Sequence, residues 1–195
     1  MTDLSLRVGE DGVSRCAWVG ADVEYARYHD EEWGVELHGD RALFEKITLE
    51  AFQSGLSWIT ILRRRDSFRR AFQEFEWSRI AAYDSHDIER LMNDKSIIRN
   101  RAKIAATISN AQILSDWLST QPGGLDQLVW SHRQPPRAVQ PASLAEIPAH
   151  TKQSHALASA LKQRGLRFVG PTTAYALMQS AGLVNDHVYG CFTTT

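Results

Sequence analysis

Apolar residues recur at helical spacing along nearly the whole of this chain, and no stretch alternates as a half-buried strand would. Between residues 40 and 54, Ala42, Leu43, Phe44, Ile47, Leu49, Ala51 and Phe52 fall near a 3.6 period, with Asp40 placed as the N-cap. Gly55 ends that helix, and Ser57 is placed to cap a second one running to about residue 72. Ser85 is placed to cap a short helix carrying Ile88, Leu91 and Met92. A long helix follows over 100–118, burying Ile104, Ile108, Ala111, Ile113, Leu114 and Trp117, and two more are expected over 151–164 and 172–181. Residues 121–124 are a break, and 132–148, with four of the six prolines, read as an extended connector. The expectation is an all-α fold: one helical domain over 16–195, in two lobes, behind a polar, disordered tail of residues 1–15.

Composition narrows the class. A chain of 195 residues suits one domain. No apolar run reaches the roughly 18 residues that span a bilayer, and the start lacks the basic and apolar segments of a signal peptide. A cytoplasmic, membrane-free monomer is the expectation. A net charge of -1 argues against coating nucleic acid through bulk charge. It leaves room for a local basic patch, for which there are three clusters: Arg63, Arg64, Arg65, Arg69 and Arg70; Arg99, Arg101 and Lys103; and Lys162, Arg164 and Arg167. Any one of them also reads as a solvated helix face.

The two cysteines, Cys16 and Cys191, stand near opposite ends of the chain, and each has a histidine nearby, His29 and His187. His187 and Cys191 have the i, i+4 spacing that puts two ligands on one helical face. Two Cys and two His complete a tetrahedral zinc shell with no open position, so such a site would be structural and would clip the termini together. The same residues also read as buried small hydrophobes and core histidines, or as a disulfide, which a cytosolic compartment disfavours.

These residues sit inside longer stretches. Cys16-Ala17-Trp18-Val19 and the run from Tyr25 to Val35 resemble the N-terminal signature of the bacterial 3-methyladenine DNA glycosylase I family. Glu50-Ala51-Phe52-Gln53-Ser54-Gly55-Leu56-Ser57-Trp58 is similar to its pocket segment, and Ile97 to Ile104 to its central helix. Arg164 to Thr173 resembles its helix-hairpin-helix, and Gly182 to His187 with Cys191 its C-terminal zinc half. Four features depart from the family pattern. Ala17, Ala51 and Ala102 stand where glycine is usual, Phe52-Gln53 replaces a pair of glutamines, and Tyr189 stands between the ligands. The chain also ends soon after Cys191.

The resemblance implies a helix-hairpin-helix glycosylase fold whose termini are joined by one structural Zn2+ on Cys16, His29, His187 and Cys191. It implies hydrolysis of the N-glycosidic bond of 3-methyladenine in alkylated double-stranded DNA, with free 3-methyladenine as product. The flipped base would enter an aromatic pocket of Trp18, Tyr25, Trp33 and Trp58 with Gln53, where Glu50 and Tyr28 do the chemistry. Gly55 and Leu56 would wedge the gap in the duplex. Arg167, Phe168, Val169, Gly170 and Thr172 would hold phosphate at the hairpin. Residues 175–182 contain no acid, which suits an enzyme for labile cationic bases. Two rival readings are a damage-recognition module without turnover and a zinc-stabilised scaffold for a protein partner. Base release discriminates the first, salt-dependent DNA binding the second.

Overall fold

The computed structural model describes residues 5–194. Helices dominate, as the periodicity predicts. In chain order they are α1 (Val23–Glu31), α2 (Asp40–Gln53), α3 (Trp58–Leu62), α4 (Arg65–Ala71), α5 (Trp77–Ala81), α6 (Ser85–Asn93), α7 (Arg101–Thr120), α8 (Gly124–Trp130), α9 (Lys152–Gln163) and α10 (Pro171–Ser180). The helix expected over 57–72 is two, because Arg63 and Arg64 turn the chain between α3 and α4. Helices α1, α5 and α8 are too short or too polar to announce themselves by period alone.

The tail is a correction. Residues 5–15 are ordered into a hairpin in which β1 (Leu6–Val8) pairs antiparallel with β2 (Ser14–Cys16), Leu6 opposite Cys16. Strands of three residues are too short to show alternation. The Arg15 side chain fastens the hairpin by reaching Asp30 of α1 at 2.7–3.0 Å and Asp11 at 2.7 Å. Residues 1–4 of the expected tail lie outside the described residues.

Central α2 is buried along most of its length, from Leu43 to Phe52, and packs against α10, α3 and α8. One hydrophobic core runs through the helices, with Phe44, Phe52, Phe68, Phe72 and Tyr175 among its largest members. Asp84, not Ser85, caps α6, and Asp40 does not cap its own helix, which starts from Gly39. Its carboxylate instead accepts from Gly123 N at 2.8 Å and Asp126 N at 2.9 Å, capping α8, while Asp126 accepts from Gly39 N. The two helix starts cap each other, which no local pattern can reveal.

Candidate active site and metal centre

Cys16, His29, His187 and Cys191 meet in a buried cluster whose ligand atoms lie within 4.8 Å of one another. Cys16 ends β2, His29 lies on α1, and the other two belong to the C-terminal segment. Cys191 Sγ is 3.5 Å from His29 Nε2 and 3.6 Å from His187 Nδ1, and Cys16 Sγ is 3.8 Å from His187 Nδ1. Metal–sulfur bonds of about 2.3 Å and metal–nitrogen bonds of about 2.0 Å at tetrahedral angles imply edges of about 3.5 Å between S and N. The second ring nitrogens are also arranged for ligation. His29 Nδ1 is 2.8 Å from Asp30, itself held by Arg15, and His187 Nε2 is 3.1 Å from the Trp33 carbonyl. Each histidine thus has an acceptor that fixes its tautomer and turns the free nitrogen inward. The Cys191 thiol is held well below the usual thiol range, first by its hydrogen bond with Cys16 and, against the cost of burial, by His187 and His29. The donor set and spacing fit one metal ion in a closed site. Tyr189, between two of these residues, is 71% exposed and plays no part in them.

A cavity of about 310 Å3 opens beside this cluster, within the range of small-molecule sites. All seven side chains expected in the pocket line it: Trp18, Tyr25, Tyr28, Trp33, Glu50, Gln53 and Trp58. The aromatic rings form a continuous wall, with centroids 4.9 Å apart for Trp18–Tyr25, 5.1 Å for Trp18–Trp33 and 5.5 Å for Tyr28–Trp58. Trp33 also packs edge-on against His187 at 4.5 Å, so the metal cluster buttresses the wall. Sequence reasoning missed Leu144 and Ile147, which the connector folds over the cavity, and Ala176, Gln179 and Ser180 of α10. Nothing in the local pattern marks them. Phe52, a possible pocket wall by its departure from the family pattern, points elsewhere: it is fully buried and packs on Phe68 at 4.8 Å.

Glu50 is 4% exposed and accepts from Ser180 Oγ at 3.0 Å. No described side chain or amide donates to its second oxygen, which is left to the cavity. Burial pushes its carboxyl up to about 7, against the opposing pull of Lys46 and the Ser180 hydrogen bond. The Tyr28 hydroxyl is pushed well above its usual range, by burial first and then by Glu50, so it remains a donor at neutral pH. Asp186, the nearest acid after α10, is already engaged by Arg137 at 2.6 Å, Tyr175 at 2.5 Å and Gln179 at 2.9 Å and does not line the cavity.

The turn after α2 is set for exposure. Gly55 has φ +87° and Leu56 is 42% exposed. Lys103, expected in a basic patch, is buried instead: its Nζ donates to the carbonyls of Phe52 at 3.0 Å and Ser54 at 2.9 Å. It caps the C-terminus of α2 and steadies this turn. The 63–70 cluster is likewise largely self-neutralised. Arg65 pairs with Glu32, Arg69 with Glu45 and Arg63 with Asp22, while Arg64 donates to the Lys95 and Ser96 carbonyls.

Helix α9 ends in a Schellman turn, with Leu166 N bonded to Leu161 O and Gly165 N to Lys162 O. Asn110 of α7 then clamps the loop, accepting from Arg167 N at 2.8 Å and donating to Arg167 O at 3.2 Å. Arg167, Phe168 and Thr172 are exposed, but Val169 is 2% exposed, so its side chain belongs to the core and only its backbone is available. Gly170 is the N-cap of α10 with Pro171 at N1, and a Cβ there would meet nothing within 4 Å.

Residues 18–194 match the model of a family described as methyladenine glycosylase. The chain is 46% identical over 182 residues to DNA-3-methyladenine glycosylase 1 of Escherichia coli (strain K12), covering 92% of this chain and 96% of that protein. A crystal structure of a 3-methyladenine DNA glycosylase I is 49% identical with a TM-score of 0.86, covering 91% of this chain and 98% of that one. The Staphylococcus aureus 3-methyladenine DNA glycosylase I, solved to explain its recognition of 3-methyladenine, is 31% identical with a TM-score of 0.85. That match covers 93% and 96% of the two chains.

Proposed function

The chain belongs to the methyladenine glycosylase family, and from that premise we propose that it is a DNA repair glycosylase that releases 3-methyladenine from alkylated DNA. The observation that carries this reading is the cavity, where a continuous aromatic wall faces one buried carboxylate with a free oxygen. Methylation at N3 makes the adenine ring cationic. Aromatic faces and a carboxylate both favour a cation, and both act more strongly once water is excluded.

In the proposed reaction the nucleotide flips out of the duplex and its base stacks against the Trp and Tyr rings. Glu50 accepts from the exocyclic amine, and the Tyr28 hydroxyl donates to a ring nitrogen. The C1′–N9 bond breaks, and its electron pair discharges the ring, so the base leaves neutral without strong acid catalysis. Water adds to C1′ and gives up a proton. Leu56 fills the gap in the stack, and the amides from Arg167 to Thr172 hold a phosphate at the start of α10.

We take residues 16–195 as one glycosylase domain acting as a monomer in the cytoplasm. We take the metal to be a structural zinc, because a closed Cys2His2 set suits that ion. When bound it supplies no chemistry to the reaction; its four ligands tie β2 and α1 to the C-terminus behind the aromatic wall. Among the described residues, no helix is long and apolar enough to cross a membrane. The test is incubation of the protein with methylated duplex DNA and identification of the bases released. Free 3-methyladenine in excess of spontaneous loss is the expected result; release no faster than in buffer would overturn the reading.

A further inference from the structure

Lys46 lies one helical turn before Glu50 on α2 and is 8% exposed. A lysine this buried is rare without a partner. Its Nζ stands 5.3 Å from the Tyr28 ring centre and 5.6 Å from that of Trp58, and no described acceptor hydrogen-bonds it. The i, i+4 spacing makes Glu50 its neighbour in charge.

A second cavity, of about 190 Å3, shares Ser180 with the first. Lys46 lines this second cavity and Glu50 the first. Lys46, Glu50 and Ser180 therefore form a layer that touches both cavities. Other charges near the layer are engaged. Glu32 of α1 holds Arg65 of α4 at 2.9 Å, and Glu45 of α2 accepts from Arg69 of α4 at 2.8 Å. Glu31 and Glu36 stand exposed at the outer edge. From α1, Tyr25 and Tyr28 face Glu50 as neutral phenols, and Ser180 of α10 donates to it. Among the described residues, Lys46 is the cation of this layer that no carboxylate pairs with directly.

We propose that Lys46 is a positioning residue for base excision: its ammonium, set behind the aromatic wall, keeps Glu50 a carboxylate when the base cavity is closed to water. The inference rests on Glu50 being the group that holds the base. Burial alone drives a carboxyl towards its neutral form, and a neutral carboxyl neither attracts a cationic ring nor accepts with both oxygens. An opposite charge within about 4–6 Å lowers a carboxyl pKa by roughly 1–3 units. The ammonium also repels the cationic base, but Lys46 packs on the Tyr28 and Trp58 rings and does not line the base cavity, whereas Glu50 does.

The experiment follows the Glu50 carboxyl by 13C NMR in the free full-length protein, its signal identified by loss in Glu50→Gln, beside pH profiles of 3-methyladenine release. The wild-type midpoint should fall at about 7. In Lys46→Met, of similar length, the midpoint should rise by at least about one unit, and the acid limb of kcat/KM should move with it. That leaves excision at pH 6 lower by about tenfold and restored on the alkaline side. Ser180→Ala should move both in the same direction by less, and Lys46→Gln serves if the methionine variant does not fold. An unmoved midpoint in a folded variant, or a loss of activity equal at every pH, would overturn the proposal. A wild type that releases no base would overturn the glycosylase reading alone, since the NMR midpoints still decide what Lys46 does to Glu50.

Discussion

At the scale of single residues, Glu50 sets two demands against each other. Its carboxyl titrates at about 7 because it is buried, whereas in the unfolded chain it titrates near 4.5. The folded state therefore holds this proton more tightly than the unfolded state does. The stability this contributes is complete below about pH 4.5 and is lost as pH rises through 7, amounting to about 3 kcal/mol in full. Glu50→Gln removes that dependence. Its melting temperature relative to wild type should therefore climb by roughly 6–12 °C between pH 5 and pH 8, read from paired thermal melts. The same variant should release 3-methyladenine roughly 10- to 100-fold more slowly, the worth of a charged hydrogen bond to the base. Near-normal excision by the folded variant would show that stacking and the lability of the base suffice. Glu50 itself was legible in the sequence through the resemblance of its segment to the family's pocket. Ser180 and Lys46 were not, because their meaning lies in what stands opposite them.

At the scale of elements, the two sides of the proposed DNA contact are held from α7. Lys103 caps α2 and steadies Gly55–Leu56, and Asn110, two turns on, clamps the hairpin at Arg167. Phe168 in that hairpin has φ +59°, a conformation that costs a non-glycine residue roughly 1–2 kcal/mol and persists where neighbours impose it. Asn110→Ala should lower stability by about 1–3 kcal/mol, since it orphans Arg167 N, and should weaken binding to abasic DNA although the side chain touches no phosphate. Gly170→Asp gives the contrast. The position is open and has φ -75°, and aspartate is a good N-cap, so the fold should tolerate it. Its charge would oppose the phosphate, and affinity should fall by about tenfold or more. Unchanged affinity in a salt titration of Gly170→Asp would remove the hairpin from the DNA contact. The long helices were legible from their period, and the hairpin from its resemblance. The clamp was not, since asparagine within a helix carries no such signal.

At the scale of the whole molecule, the four-residue cluster joins the N-terminal hairpin and α1 to the last turn of the chain. A cross-link closing a loop of this order restricts the unfolded chain by about 5 kcal/mol, and a bound metal adds its own affinity. Metal analysis should find one zinc per chain. Cys191→Ser should lower the melting temperature by roughly 10–20 °C or prevent folding, while the folded fraction keeps its base release. Protein purified without any metal, or joined by a Cys16–Cys191 disulfide, would contradict the site.

The features legible in the residue order are those that short-range physics governs. Apolar period set the helical class, and the residue types at 16, 29, 187 and 191 set the ligand chemistry. Long-range packing supplied the rest. It sent Asp40 to cap α8 and turned Lys103 from a presumed surface charge into the cap of α2. It laid the proline-rich connector over the cavity and set Lys46 and Ser180 beside Glu50. A side chain's hydrogen bonds and its ionisation depend on dielectric and on partners within a few ångströms. Those partners are distant in the chain, so the information appears only when the helices close around them.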